Sequence, residues 1–145
     1  MAGVNAQIMT AAELNAFLDE HFSEINRSGQ SFTVEAATGR TVRMRMIYHE
    51  RMLRPGRTIS GPSMFALADI AMYAAVLALI GPRPLAVTTN LSINFLRKPR
   101  PADMIAEATI LKLGKRLAVG EIGLRSDGDE DLAAHATSTY SIPEN

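Results

Sequence analysis

The chain has 145 residues, 47% of them apolar and 21% charged, a balance that suits one globular domain with a sizeable core and excludes a disordered chain. Basic and acidic residues number 15 each, so no global charge points to nucleic acid or an anionic membrane as partner. Cysteine is absent, which excludes disulfides, thiolate metal sites and cysteine nucleophiles and fits a cytoplasmic, reducing location.

The first 30 residues hold no basic stretch followed by a continuous apolar run, so no secretory signal is expected. Thr10 followed three residues later by Glu13 is a capping-box pattern, and Leu14, Phe17, Leu18 and Phe22 form one apolar stripe. Together they predict an amphipathic helix over 11–24. A polar loop follows over 26–30. Residues 31–36 and 41–49 read as two strands about the turn Ala37-Thr38-Gly39-Arg40. In the second, Val42, Met44, Met46 and Tyr48 share one face while Arg43 and Arg45 share the other. Residues 50–59 read as a loop.

The stretch 64–80 is apolar apart from Asp69 and is bracketed by Gly61-Pro62 and Gly81-Pro82, which predicts a helix over about 62–80. A membrane span needs about 20 apolar residues and rarely tolerates a central carboxylate, so this helix is expected inside the protein. Leu85, Val87, Thr89, Leu91, Ile93 and Phe95 then alternate with small or polar residues, a period of two that predicts a strand with that set on its apolar face. Pro99 and Pro101 end it. Three further strands are expected over 104–112, 116–125 and 132–142, with turns at Gly114-Lys115 and over 126–131. A helix apolar nearly all round must be covered nearly all round. One curved antiparallel sheet of about six strands does so with few elements, giving a single α+β domain over 1–145.

This order of elements, with Ser60-Gly61-Pro62-Ser63-Met64-Phe65-Ala66-Leu67-Ala68-Asp69, resembles the hotdog fold, and within it the PaaI-like acyl-CoA thioesterases. That family carries His-Gly-Gly at the start of its central helix and Ala-Leu-Ala-Asp ending nine residues after the His. Here Ser60 stands at the His, Gly61 at the first glycine, Pro62 at the second, and Asp69 at the family's catalytic acid. Arg54 stands where the family often has Asn. Asn90-Leu91-Ser92-Ile93-Asn94-Phe95-Leu96-Arg97-Lys98-Pro99 resembles a family strand, and Gly114-Lys115-Arg116-Leu117-Ala118-Val119 a family hairpin, so the likeness spans about 30–142. The resemblance implies a cytoplasmic hydrolase of acyl-CoA or aryl-CoA thioesters that needs no cofactor. It also implies a homodimer with sites at its interface, and a homotetramer of such dimers as a further option.

A lone carboxylate in a long apolar run needs a partner or a purpose. Asp69 is therefore either structural, bonded to backbone or to an arginine across an interface, or it is a nucleophile or general base at a thioester carbonyl. The Gly61 N–H, at a helix N-terminus, suits a developing oxyanion, the alternative being a simple helix cap. Gly61 and Asp69 lie eight residues apart, about 12 Å along a helix, so both can act on one carbonyl only from different subunits. Ser60, Ser63, Tyr73 and Thr89 are supporting candidates, Tyr73 because it lies one turn after Asp69. Arg97, Lys98, Arg100, Lys115 and Arg116 are candidates for the CoA phosphates, or else solvated surface. Six of the 15 basic residues also fall between Arg40 and Arg57. His21, His49 and His135 lack metal-ligand spacing, no His lies near Asp69 in sequence, and neither a nucleophile elbow nor a phosphate-binding glycine loop occurs. Ser60, Pro62 and Arg54 motivate the alternative of a non-catalytic acyl-CoA-binding protein.

Overall fold

In the computed structural model, which describes residues 7–27 and 31–144, the chain opens with helix α1 (Ala11–His21). Both halves of its capping box form: the Glu13 amide donates to Thr10 Oγ1 at 3.2 Å and the Thr10 amide to Glu13 Oε1 at 2.9 Å. Leu14, Phe17 and Leu18 are buried. The helix stops short of 24 because Ser23–Asn26 tighten into a 3-10 turn. Of the polar loop expected over 26–30, residues 28–30 lie outside the described residues.

Strands β1 (Phe32–Thr38) and β2 (Thr41–Met46) pair up to Thr38 opposite Thr41. The turn is thus Gly39-Arg40 alone, with Gly39 at φ +60°, shorter than the four residues expected. Val42, Met44 and Met46 point into the core as their alternation predicts. β2 ends before His49, because the Tyr48 amide leaves the ladder to donate to Asp103 Oδ1 at 2.7 Å. Residues 50–59, expected as loop, contain a 3-10 turn (Glu50–Met52) and a small hairpin, β3 (Leu53–Arg54) and β4 (Thr58–Ile59).

Helix α2 (Gly61–Ile80) follows, with Ser60 as N-cap and every residue from Ile70 to Leu79 buried. Its length and apolar composition would suit a membrane span, but here the sheet supplies the apolar surroundings. That sheet runs β1-β2-β6-β7-β8-β5, antiparallel throughout, with β5 (Val87–Phe95), β6 (Met104–Leu113), β7 (Leu117–Ser126) and β8 (Ala134–Ser141). A six-stranded sheet around one apolar helix, with a second helix N-terminal to it, is the hotdog architecture the element order implies.

β5 departs from its expected pattern. Thr88 lies opposite Tyr140 and Asn90 opposite Thr139, leaving Thr89 as an unpaired bulge. One extra residue reverses which side chains face the helix. Before the bulge Ala86 is buried while Leu85 and Val87 are 74% and 54% exposed; after it, Leu91 and Ile93 pack on the core. The strand therefore does not present residues 85–95 as one alternating face.

Candidate active site

Asp69 is half-buried in the middle of α2, between the buried Ala68 and Ile70. Thr88 Oγ1, turned inward ahead of the bulge, donates to Asp69 Oδ1 at 2.7 Å. The Tyr140 hydroxyl, from β8, donates to the same Oδ1 at 3.0 Å and to the Asp69 backbone carbonyl at 3.0 Å. Among the described residues no ion pair involves Asp69. Among the described residues both hydrogen bonds to its side chain fall on Oδ1, and Oδ2 receives none. The carboxylate lines a cavity of about 360 Å³ with His21, Phe22, Tyr73, Pro84, Thr88 and Tyr140. Burial first, and the negative charge of Asp69 second, push the Tyr140 hydroxyl well above its ordinary pKa, so it stays a proton donor.

Tyr73 does not orient Asp69. Its hydroxyl is committed to the Pro84 carbonyl at 3.0 Å, and its ring stacks on Tyr140 with centroids 6.0 Å apart. Burial raises its pKa also. Thr89 is displaced from the site by the bulge and donates instead to the Thr139 carbonyl at 3.2 Å. Thr88 stands beside Asp69, where its neighbour was expected.

Ser60 and Ser63 are occupied with each other at the start of α2. Ser60 Oγ accepts from the Ser63 amide at 3.3 Å and donates to Ser63 Oγ at 3.0 Å. The Gly61 N–H, first of the helix, has no acceptor among the described residues. A Cβ at position 61 would stand 3.3 Å from Phe95 Cζ, so the Phe95 ring lies directly over this turn. Two cavities meet at Gly61. One, of about 430 Å³, also takes in Arg54, Met64 and Lys98; the other, of about 440 Å³, is walled by Pro62, Phe65, Ile93 and Phe95. Neither contains Asp69, so within one chain the two residues serve separate spaces.

Four of the five basic candidates divide between two places, and Arg100 lines neither. Lys98 and Arg97 line the Gly61 cavity, whereas Lys115 and Arg116 line another of about 390 Å³ with Arg83 and Glu144. Arg97 pairs with Asp131 and Arg100 with Asp129, each at 3.3 Å, and Arg116 pairs with Glu144. Of the cluster between Arg40 and Arg57, Arg43 and Arg45 are engaged elsewhere. Arg45 bridges Glu35 (2.6 Å), Asp127 (2.8 Å) and Asp103 (3.1 Å), and Arg43 adds a 2.9 Å bond to Glu35. Three contributors to the Asp69 cavity escape sequence reasoning: Thr88, Tyr140 and His21. The last belongs to α1, which brings a histidine near Asp69 where linear spacing shows none.

The family model of the thioesterase superfamily matches residues 56–133. A Halobacterium salinarum protein whose name proposes an esterase is 31% identical over 125 residues, covering 82% of this chain and 80% of its own. The crystal structure of a Silicibacter sp. TM1040 protein whose name proposes a thioesterase is 47% identical and superposes with a TM-score of 0.88, covering 97% of this chain and 96% of its own. Thioesterase superfamily member 2 of zebrafish shares the fold, with a TM-score of 0.79 at 20% identity over 94% of this chain and 100% of its own.

Proposed function

We propose, from the premise that this chain belongs to the thioesterase superfamily, that it hydrolyses acyl-CoA or aryl-CoA thioesters to free acid and CoA at sites shared by the two subunits of a homodimer. Membership supports thioester hydrolysis as the general reaction. The observation that carries the finer reading is Asp69 itself, an acid within an apolar helix that opens on a cavity and meets neutral hydroxyls instead of a cation. Oδ2 attacks the carbonyl carbon, or takes the proton of a water that does. Either way the carbonyl oxygen gains negative charge, the carbon–sulfur bond breaks, and CoA leaves as a thiolate; on the nucleophilic route the acyl group is left as a mixed anhydride on Asp69, which water then cleaves to release the acid and the free carboxylate. The unbonded Gly61 N–H of the second subunit, at the positive end of α2, would receive that oxyanion.

The surface supports the second copy. β5 is a nine-residue strand at the outer edge of the sheet, with Val87 and Phe95 more than half exposed and Phe65 and Leu96 exposed beside them. A long uncovered edge is a template for pairing, and a two-fold pairing through it would bury the same patch on both chains. The face of the sheet turned away from α2 instead carries polar pairs, the Arg125–Glu107 ion pair and the His135–Glu121 hydrogen bond among them, so apolar burial there does not favour a tetramer. Lys98 and Arg54 line the Gly61 cavity, which supports them as cations for the CoA phosphates, whereas Arg97 beside them is paired with Asp131.

A non-catalytic acyl-CoA binder is favoured by one feature: the Ser60 hydroxyl is spent on capping and Pro62 has no N–H to add to that of Gly61. A CoA-release assay over short, medium, long and aryl thioesters separates the readings. Turnover by the wild type is expected, with a loss of roughly 10²- to 10⁴-fold in Asp69→Asn. The melting temperature should hardly move, because the asparagine oxygen still accepts from Thr88 and Tyr140. Saturable binding without turnover, or an Asp69→Asn variant as fast as the wild type, would overturn the enzymatic reading.

A further inference from the structure

We infer that Tyr140 is a positioning residue that fixes Asp69 Oδ1 and thereby leaves Oδ2 as the oxygen that reacts; the inference rests on the reading of Asp69 as the reacting group. The two residues are 71 positions apart in sequence, yet one hydroxyl donates at 3.0 Å both to the Asp69 main-chain carbonyl and to Oδ1. Holding those two acceptors together sets the side-chain torsions relative to the backbone. A terminal carboxylate otherwise turns about a broad, two-fold torsion that exchanges its oxygens.

A second donor removes the remaining equivalence. Thr88 and Tyr140 are direct cross-strand partners on β5 and β8, and both hydroxyls converge on Oδ1. The Thr89 bulge is what brings Thr88 to this side, so the edge distortion has a function at the site. The phenol itself has little freedom: Tyr140 is 3% exposed and its ring is stacked on Tyr73 at an interplanar angle of 27°. Tyr73, whose hydroxyl is bound to Pro84, acts here as a wall and not as a donor. The machinery expected from α2 alone is thus completed by the sheet.

Tyr140→Phe tests this, since it keeps the ring and its stack and removes one oxygen atom. The kcat for acyl-CoA hydrolysis is expected to fall roughly 10- to 100-fold, with KM within about twofold of the wild type. Thr88→Val should do the same, and Thr88→Ser should restore most of the rate. A crystal structure of Tyr140→Phe should show the Asp69 carboxylate turned or in two orientations. Wild-type kcat in Tyr140→Phe, an unmoved carboxylate, or a loss confined to KM or to the unfolded fraction would overturn the inference. Asp69→Asn is measured alongside: if it retains activity the reading of Asp69 itself fails, whereas an inactive Asp69→Asn beside a fully active Tyr140→Phe removes only the role of Tyr140.

Discussion

Gly120→Ala probes how closely α2 sits on the sheet that holds its aspartate in place. A Cβ at position 120 would stand 2.7 Å from Met72 Sδ, 2.9 Å from Met72 Cε and 2.8 Å from the Thr109 carbonyl oxygen, all well inside ordinary van der Waals contact. The thioether end of Met72 can bend away, although the residue is fully buried and has little empty space to enter. The Thr109 oxygen cannot, because it is main chain of β6, and Gly120 pairs with Ile110 in that ladder. β7 must therefore separate from β6 by about half an ångström, overpacking that costs roughly 1–3 kcal/mol. At about 2–4 °C per kcal/mol for a chain of this size, calorimetry should record a melting temperature roughly 2–12 °C lower. Met72 lies three residues beyond Asp69, so the same displacement strains the 2.7 and 3.0 Å bonds from Thr88 and Tyr140 and should lower kcat as well. A Gly120→Ala variant that melts within about 1 °C of the wild type would refute the packing argument.

Acid should weaken the fold through the Arg45 cluster. Burial pushes the Glu35 carboxyl up, but hydrogen bonds and charge from Arg45 and Arg43 outweigh it and hold the group below the usual range; the Arg45 hydrogen bond does the same for Asp127. Groups depressed in the folded state contribute stability above their unfolded values of about 4 and lose it as pH falls below them, so the melting temperature should drop between about pH 5 and pH 3. Arg45→Met should flatten that slope, and an unchanged slope would contradict the assignment. At the Gly61 cavity, Lys98→Glu should raise KM for acyl-CoA roughly fivefold, about 1 kcal/mol, with kcat unchanged. A pantetheine thioester lacking the nucleotide phosphates should show no such rise; equal effects on both substrates would place Lys98 outside phosphate binding.

The legible part of this molecule is the part governed by local pattern. Gly61-Pro62 and Gly81-Pro82 around a long apolar run announce α2, and the Thr10–Glu13 spacing announces α1, because caps and periodicity act within a few residues. Asp69 stands out for the same reason, as a charge where the pattern forbids one. The partners of Asp69 were hidden by different physics. Thr88 and Thr89 are chemically identical, and only a bulge set by pairing with β8 decides which one turns inward. Tyr140 continues the inward register of Ala134, Ala136 and Ser138, a signal that marks it as core but does not say which polar group its hydroxyl meets. His21 reaches the cavity only because α1 packs where it does, a tertiary fact with no counterpart in spacing.

Complementation between two inactive variants tests the shared site most directly. Asp69→Asn and Gly61→Val are to be co-expressed with different tags, and the mixed dimers assayed for CoA release. If Asp69 of one subunit works with Gly61 of the other, each mixed dimer rebuilds one complete site. Each mixed dimer, isolated through its two tags, keeps one of two sites intact, so roughly half of wild-type activity per dimer should return. Activity no higher than that of the two parent variants would contradict a site built across two chains.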